Sequence, residues 1–211
     1  MPAKAMRRLR DTPGTDLRLL VVSTGPRHCA GIDLDSGALV RAWSPAPVDQ
    51  RISPYDVVRV TIAADDDLVP DPAEPEAVAV ADAPQLEGRL TGRAAHRLVR
   101  PLLHPAKAPL LGFHGPSVPF WERTADHPSV ALASPRGPLV VTVEQGALWC
   151  HFEWGGKPSV LPCLDPRLAA SLSRQRRDHA YLSPGTLAVV TLSAPVDGHC
   201  HKVVEAVIPR R

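Results

Sequence analysis

The segment Leu148–Trp154 has the sequence LWCHFEW. Because successive side chains of a β-strand point to opposite faces, its seven residues divide into a core-facing set and an outer set. The core-facing set is Leu148, Cys150, Phe152 and Trp154, and the outer set is Trp149, His151 and Glu153. Gly155-Gly156 follows as a turn and Ser159–Leu164 as the returning strand, so the stretch predicts a β-hairpin with one buried face.

Similar apolar runs, separated by turn residues, occur on both sides of this hairpin. They predict further strands at Leu17–Thr24, His28–Leu34, Ala38–Trp43, Tyr55–Ile62, Leu139–Val143, Thr186–Leu192 and Cys200–Ile208, with a brief one at Ala77–Ala81. A short helix is predicted near Gly92–Val99. A second begins at Pro166 behind the capping residue Asp165 and runs to about Arg176. The pattern predicts a mainly β protein with one or two short helices.

The 211 residues can form one large domain or two of about 100 residues each. The 24 prolines and 14 glycines favour many short strands and turns over long helices. We place a basic flexible tail at 1–16, a first domain at 17–112 and a second at 113–211. Within the first domain, the segment 63–88 has eight acidic residues and no Lys or Arg, and its prolines predict a surface loop. The rest of the chain has a basic excess, which favours a polyanionic partner or simply a solvated surface.

Several classes of protein are disfavoured by the sequence. No apolar run is long enough to span a bilayer, and the basic N-terminal stretch lacks the apolar core of a signal peptide, so we expect a cytoplasmic protein without membrane association. The four cysteines stand singly, which predicts buried thiols in a reducing compartment.

The sequence contains CAGID at Cys29–Asp33 with Val40-Arg41 and Trp43 after it, DVV at Asp56–Val58, and GHCHKVVEAVI at Gly198–Ile208. Together these three stretches resemble the bacterial family of dual OB domain proteins. The segment Trp149–Trp154, with Leu161–Asp165 after it, resembles the second barrel of that family. The resemblance implies two small OB-like β-barrels in tandem and a nucleic-acid-binding role, within a bacterial defence or conflict system. It supplies no catalytic residues.

Known catalytic and metal-binding motifs are missing from the sequence. It contains no glycine-rich phosphate loop, no nucleophile elbow and no HExxH helix, and Cys163 with any of the nine histidines makes only a loose nucleophile–base pair. A zinc site would need Cys150-His151, Cys163 and His199–His201, but strand alternation points Cys150 and His151 to opposite faces. We therefore expect no enzyme activity, no cofactor and no metal, with the cysteines in the core and the histidines outside.

Cations near exposed aromatic side chains are the features that suit binding of single-stranded nucleic acid. The candidate binding residues are Trp149, His151, Lys157, Arg174, Arg177 and Lys202. Trp149 and His151 could stack on bases, Arg174 and Arg177 end the predicted helix, and Lys202 interrupts an apolar strand. The alternatives are a partly buried tryptophan and a solvated helix end. A protein-interaction module that uses the acidic loop or Phe120-Trp121, and an enzyme of unrecognised type, also stay open.

Overall fold

The computed structural model describes residues 12–64 and 71–209. It is mainly β, with one six-stranded sheet, one eight-stranded sheet and two short helices, which confirms the predicted class. The chain divides into two compact units: the first holds Met1–Leu102 with Thr124–Ser129, and the second holds Leu103–Arg123 with Val130–Arg211. Both sheets are mixed, and no closed barrel is found among the described residues.

The six-stranded sheet belongs to the first unit. Its strands are β1 (Asp16–Thr24), β2 (His28–Asp33), β3 (Leu39–Trp43), β4 (Asp56–Thr61), β5 (Ala77–Ala79) and β6 (Gln85–Arg89). They lie in the order β5-β3-β2-β1-β4-β6, with β3 and β5 parallel and the other neighbours antiparallel. The core is formed by the alternate apolar residues of β1, β3 and β4, including Val58, Val60 and Ile62, which share a face as predicted.

Two strands far apart in this order approach each other just beyond their ends. Ile62 forms a bridge with Val80, the backbone N–H of Ala63 donates to the carbonyl of Ala79, and that of Ala81 donates to the carbonyl of Thr61. The sheet therefore curls, because the end of β4 meets the end of β5. The first helix, α1 (Gly92–Val99), follows β6 and buries Ala95 and Val99.

The eight-stranded sheet belongs to the second unit. Its strands are β7 (Ser117–Pro119), β8 (Val130–Ala133), β9 (Leu139–Glu144), β10 (Ala147–Trp154), β11 (Lys157–Cys163), β12 (His179–Leu182), β13 (Leu187–Leu192) and β14 (His199–Ile208). The order is β12-β9-β10-β11-β14-β13-β8, and β7 pairs with β14. The pair β11 and β14 is parallel, like β3 and β5 in the first unit.

The second helix, α2 (Pro166–Gln175), begins where it was predicted to begin. The Asp165 side chain accepts hydrogen bonds from the backbone N–H groups of Arg167 and Leu168, and proline occupies the first turn. Leu172 is buried and Leu168 packs against the apolar core of the unit. The alternation predicted for Leu148–Trp154 is also confirmed, because Cys150, Phe152 and Trp154 lie in that core and Leu148 packs on it.

The acidic segment is more structured than predicted. Residues 65–70, with three of its acids, lie outside the described residues. Within 63–88 the structure has β5, where a brief strand was predicted at Ala77–Ala81, and also β6, which was not predicted. Glu74 and Glu76 are largely buried rather than displayed on a surface loop, since both carboxylates accept hydrogen bonds from neighbouring segments. Most of the predicted tail also lies outside the described residues, although Asp16 already belongs to β1.

Candidate nucleic-acid interface

One face of the second unit's sheet points away from its core and crosses the four strands β12, β9, β10 and β11. Strand register aligns two rows of side chains on this face. The first row is His179, Thr142, Trp149 and Pro162, and the second is Tyr181, Val140, His151 and Val160. We call these eight residues the outer face.

The outer face exposes aromatic and apolar groups. Tyr181 is 73% exposed and Val160 is 48% exposed, while Trp149 and His151 are half-buried. The rings of His179 and Tyr181 meet edge to face, with centroids 5.5 Å apart. Such rings are the groups on which the bases of a single strand can stack.

His151 is held in place by its neighbour on β9. Its Nε2 atom lies 2.8 Å from the hydroxyl oxygen of Thr142 and 3.8 Å from a carboxylate oxygen of Glu144. The predicted candidates Trp149 and His151 thus share one exposed surface and one strand. Trp149 itself lies between Thr142 and Pro162, which contact it from the two adjacent strands.

The end of α2 brings cations towards the edge of the outer face. Arg176 has a left-handed backbone conformation (φ 50°) that ends the helix, and the N–H of Arg177 donates to the carbonyl of Leu172. Arg174, Arg176 and Arg177 are all exposed. His179 starts β12 two residues after Arg177, so Arg177 is close in the chain to this edge, and Arg174 precedes it in the last turn of α2.

Acidic groups accompany the cations. The imidazole of His179 lies 2.7 Å from the Asp178 carboxylate, and this hydrogen bond lowers the pKa of Asp178. Glu144 and Glu153 also lie on the strands of this face. The described residues of the second unit include nine Lys or Arg and seven Asp or Glu, so its basic excess is small.

The other two candidate cations lie elsewhere in the second unit. Lys157 is exposed at the turn between β10 and β11, and Lys202 is buried on β14. The ammonium of Lys202 donates to the backbone carbonyls of Phe113 and Gly115, the latter at 2.7 Å. Both lysines line a cavity of about 460 Å³ rather than the outer face. The structure thus divides the six predicted residues between two places.

Tyr181 and Val160 are functional candidates that the sequence analysis did not select. The strand β12 has only four residues and no long alternation, so its place beside β9 had no sequence signal. A separate exposed pair, Phe120 (50%) and Trp121 (65%), lies near the loop before β14, where the Trp121 ring faces His199 with centroids 6.3 Å apart.

In the first unit, the outer side of β2 and β3 holds a buried polar cluster. Arg41 contacts the Glu74 carboxylate at 3.2 Å and the His28 imidazole at 3.2 Å, and its guanidinium lies 4.8 Å from the centre of the Trp43 ring. The indole N–H of Trp43 donates to the other Glu74 oxygen. The expectation that the histidines lie outside is therefore wrong for His28, which is 6% exposed because Trp43 and Arg41 cover it.

The four cysteines are free and buried. Hydrogen bonding to Cys163 and burial raise the pKa of Cys150, so this side chain remains a neutral thiol. Among the described residues, no three His, Cys, Asp or Glu side chains are placed to share a metal ion. The same part of the chain has no helix that is long and apolar enough to cross a bilayer.

Comparison with protein-family models, with curated proteins and with solved structures gives no match to this chain.

Proposed function

We propose that this chain is a non-catalytic nucleic-acid-binding protein that holds a single strand on the outer face of its second unit. The observation that carries the proposal is the alignment of Trp149 and His151 on β10 with the exposed rings of His179 and Tyr181 on β12, across the intervening strand β9. Bases can stack on these rings while Arg174 and Arg177, beside the edge, contact phosphates.

We further propose that both units are OB-like barrels. In the first unit the spatial order β4-β1-β2-β3 is that of a Greek key, and the approach of β4 to β5 supports a curled five-stranded arrangement. In the second unit β8 and β9 are separated by five residues in the chain, yet four strands lie between them in the sheet order, since β8 pairs with β13 and β9 pairs with β10. Taken together, β8 and β9 correspond to the first strand of such a barrel.

This fold proposal agrees with the position of the outer face. In OB folds the face of the second and third strands binds oligonucleotides. If β8 and β9 together are the first strand, then β10 and β11 are the second and third. Trp149, His151 and Val160 lie on that pair.

The experiment is a titration of labelled single-stranded DNA and RNA at two salt concentrations. We expect weak, largely sequence-independent binding. Trp149→Ala should weaken it by about 1–3 kcal/mol and leave the salt dependence unchanged, because a stacking contact releases no counterions. Arg174→Ala with Arg177→Ala should weaken binding to every sequence and flatten the salt dependence.

Two control variants match these changes in size and charge. Trp121→Ala removes an exposed tryptophan outside the outer face, and Arg93→Ala with Arg97→Ala removes two exposed arginines from α1. Both should bind as the wild type does. No binding of the wild type at low salt would refute the proposal.

A protein-binding role is the second candidate, favoured by the exposed rings of Phe120 and Trp121 with Val196, 56% exposed, in the loop before β14. In that case the acidic segment could add contacts through Asp71, which is exposed. This role becomes the leading account if no nucleic acid binds and Trp121→Ala abolishes capture of a defined partner.

A further inference from the structure

A cavity of about 460 Å³ lies in the second unit, between the segment 107–116 and the start of β11. Its apolar wall includes Phe113, Trp154 and Leu161. The indole N–H of Trp154 donates to the carbonyl of Ala108 at 2.8 Å, which fixes that wall to the segment 107–116. The volume falls within the range of pockets that hold small organic ligands.

The polar lining of this cavity is cationic. Three lysines, Lys107, Lys157 and Lys202, line it together with His114, and none of its lining residues is acidic. The lysines come from three separate segments: the loop before β7, the β10–β11 turn and β14. Cations that converge from separate segments without a carboxylate among them form an environment that favours an anion.

Lys202 is the most unusual of these cations, because it is 3% exposed. Its ammonium donates to the carbonyls of Phe113 and Gly115, and no ion pair with a carboxylate is found for it in the part of the chain that the structure describes. Burial lowers the pKa of Lys202 to about 8. An anion in the cavity would supply the missing counter-charge.

We propose that this cavity binds the phosphomonoester of a nucleotide. The choice of a nucleotide as the ligand rests on the proposed function. The cavity and the outer face are connected, because Val160 belongs to both. It stands opposite His151 on the outer face and also lines the cavity. A strand that crosses the outer face can therefore place a terminal phosphorylated nucleotide against Lys107, Lys157 and Lys202.

The chemistry selects a phosphomonoester over an internal phosphodiester. A terminal phosphomonoester carries close to two negative charges at neutral pH, whereas a diester carries one. Because the cavity has several cations, the additional negative charge strengthens the attraction to the phosphomonoester. The apolar wall gives the sugar and base a surface to contact. A free nucleoside monophosphate offers the same group, so the test must separate the two sources.

The test compares oligonucleotides with a 5′-phosphate, with a 3′-phosphate and with neither, together with adenosine 5′-monophosphate and adenosine, by calorimetry and anisotropy. For the wild type we expect one terminal phosphate to strengthen binding about tenfold, since hydrogen bonds between charged groups are stronger than those between neutral groups. The double variant Lys107→Ala with Lys157→Ala should lose this gain. Arg93→Ala with Arg97→Ala, which removes the same charge from exposed positions of α1, should keep it.

A pH series gives a readout that is independent of these variants. Lys202, Lys107, Lys157 and His114 are the titratable groups that line the cavity. Between pH 7.5 and 9.5 the phosphomonoester stays doubly charged while Lys202 loses its proton, so affinity for adenosine 5′-monophosphate should fall several-fold over this interval. Arg174→Ala with Arg177→Ala should show the same fall.

The outcomes separate this proposal from the proposed function. Equal binding of phosphorylated and unphosphorylated strands would overturn the cavity proposal and leave the outer face standing. Binding of adenosine 5′-monophosphate without binding of any strand would support the cavity and refute the outer face. A phosphate effect that survives in the double variant and does not change with pH would place the phosphate elsewhere and overturn the proposal.

Discussion

At the scale of single residues, the most consequential contact is the buried pair Arg41 and Glu74. Their side chains are 5% and 12% exposed, and Glu74 also accepts from the indole of Trp43. Removal of one member of such a pair leaves an uncompensated charge in a nearly water-free site. The exposed pair Arg18 and Glu87, with Arg18 at 55%, lacks this penalty because water solvates both groups.

We predict that Arg41→Leu lowers the free energy of unfolding by about 3–5 kcal/mol, since it removes the cation that neutralises the buried Glu74 carboxylate. Arg18→Leu is the matched control and should cost at most about 1 kcal/mol. The double variant Arg41→Leu with Glu74→Leu should recover part of the loss. Urea unfolding measures all three, and equal costs for the two single variants would contradict the prediction.

Glu76 gives a pH-dependent prediction at the same scale. Burial raises its pKa above the ordinary value of 4.5, while hydrogen bonds from the Ser129 N–H and hydroxyl act in the opposite direction. Between 4.5 and the raised pKa the folded state binds more protons than the unfolded state. The contribution of Glu76 to stability therefore falls as the pH rises through this window.

Glu76→Gln keeps an oxygen that can accept from Ser129 and removes the titration. The stability of the variant relative to the wild type should rise between pH 4.5 and pH 7, as urea unfolding at several pH values will show. A difference that stays constant over this interval would mean that the pKa of Glu76 is unchanged by folding.

At the scale of elements, α2 is joined to the sheet through its capping residue. One oxygen of Asp165 caps the first turn of the helix, and the other accepts from the backbone N–H of Val207 on β14 at 2.9 Å. We predict that Asp165→Ala costs about 2–4 kcal/mol, because it removes the cap and leaves a buried N–H without an acceptor. Thermal unfolding measures the loss.

Asp165→Asn separates the capping of α2 from the contact with β14. It retains an oxygen acceptor for the helix N-terminus, so it should cost less than Asp165→Ala. Asp49→Ala, at an exposed turn, is the matched control, because the Asp49 carboxylate accepts from the backbone N–H of Arg51 near the surface. If Asp165→Ala costs no more than Asp49→Ala, the contact with β14 contributes nothing.

Elements with an apolar face were predictable from the sequence, and those without one were not. The alternation of Leu148–Trp154 defined β10, and Asp165-Pro166 defined the start of α2. In contrast, all residues of β6 are exposed, so its pairing with β4 left no hydrophobic signal.

In the candidate site, the sequence could group residues of one strand but could not predict contacts between separate segments. Trp149 and His151 could be grouped because they are neighbours on one strand. The pairing of Arg41 with Glu74, 33 residues away, and the alignment of Tyr181 with Val140 depend on tertiary structure. A local turn pattern can indicate pairing only between strands that follow each other in the chain, as in the hairpin of β10 and β11, so neither of these longer-range contacts could be derived.

At the scale of the whole molecule, the reactivity of the cysteines tests how well the two cores are packed. Cys29 belongs to the apolar core of the first unit, and Cys150, Cys163 and Cys200 belong to that of the second. We predict that a thiol reagent modifies none of the four in the native protein and all four in denaturant, because a buried thiol is shielded from the reagent.

The modification can be followed by mass spectrometry during a denaturant titration. The Cys29→Ser variant should then titrate three thiols, all from the second unit. Rapid labelling of any cysteine under native conditions would show that its core opens more readily than the structure indicates.

The strand β14 lies between β11 and β13 and also pairs with β7, although it follows all of them in the chain. During translation the ribosome must release these partners before the strand that joins them. Until β14 emerges, the edges of β11 and β13 in the nascent second unit have no hydrogen-bonded partner. Unpaired strand edges can pair with other chains and cause aggregation. The first unit contains none of these strands, so in the growing polypeptide the need for chaperone protection is concentrated in the interval before β14 emerges.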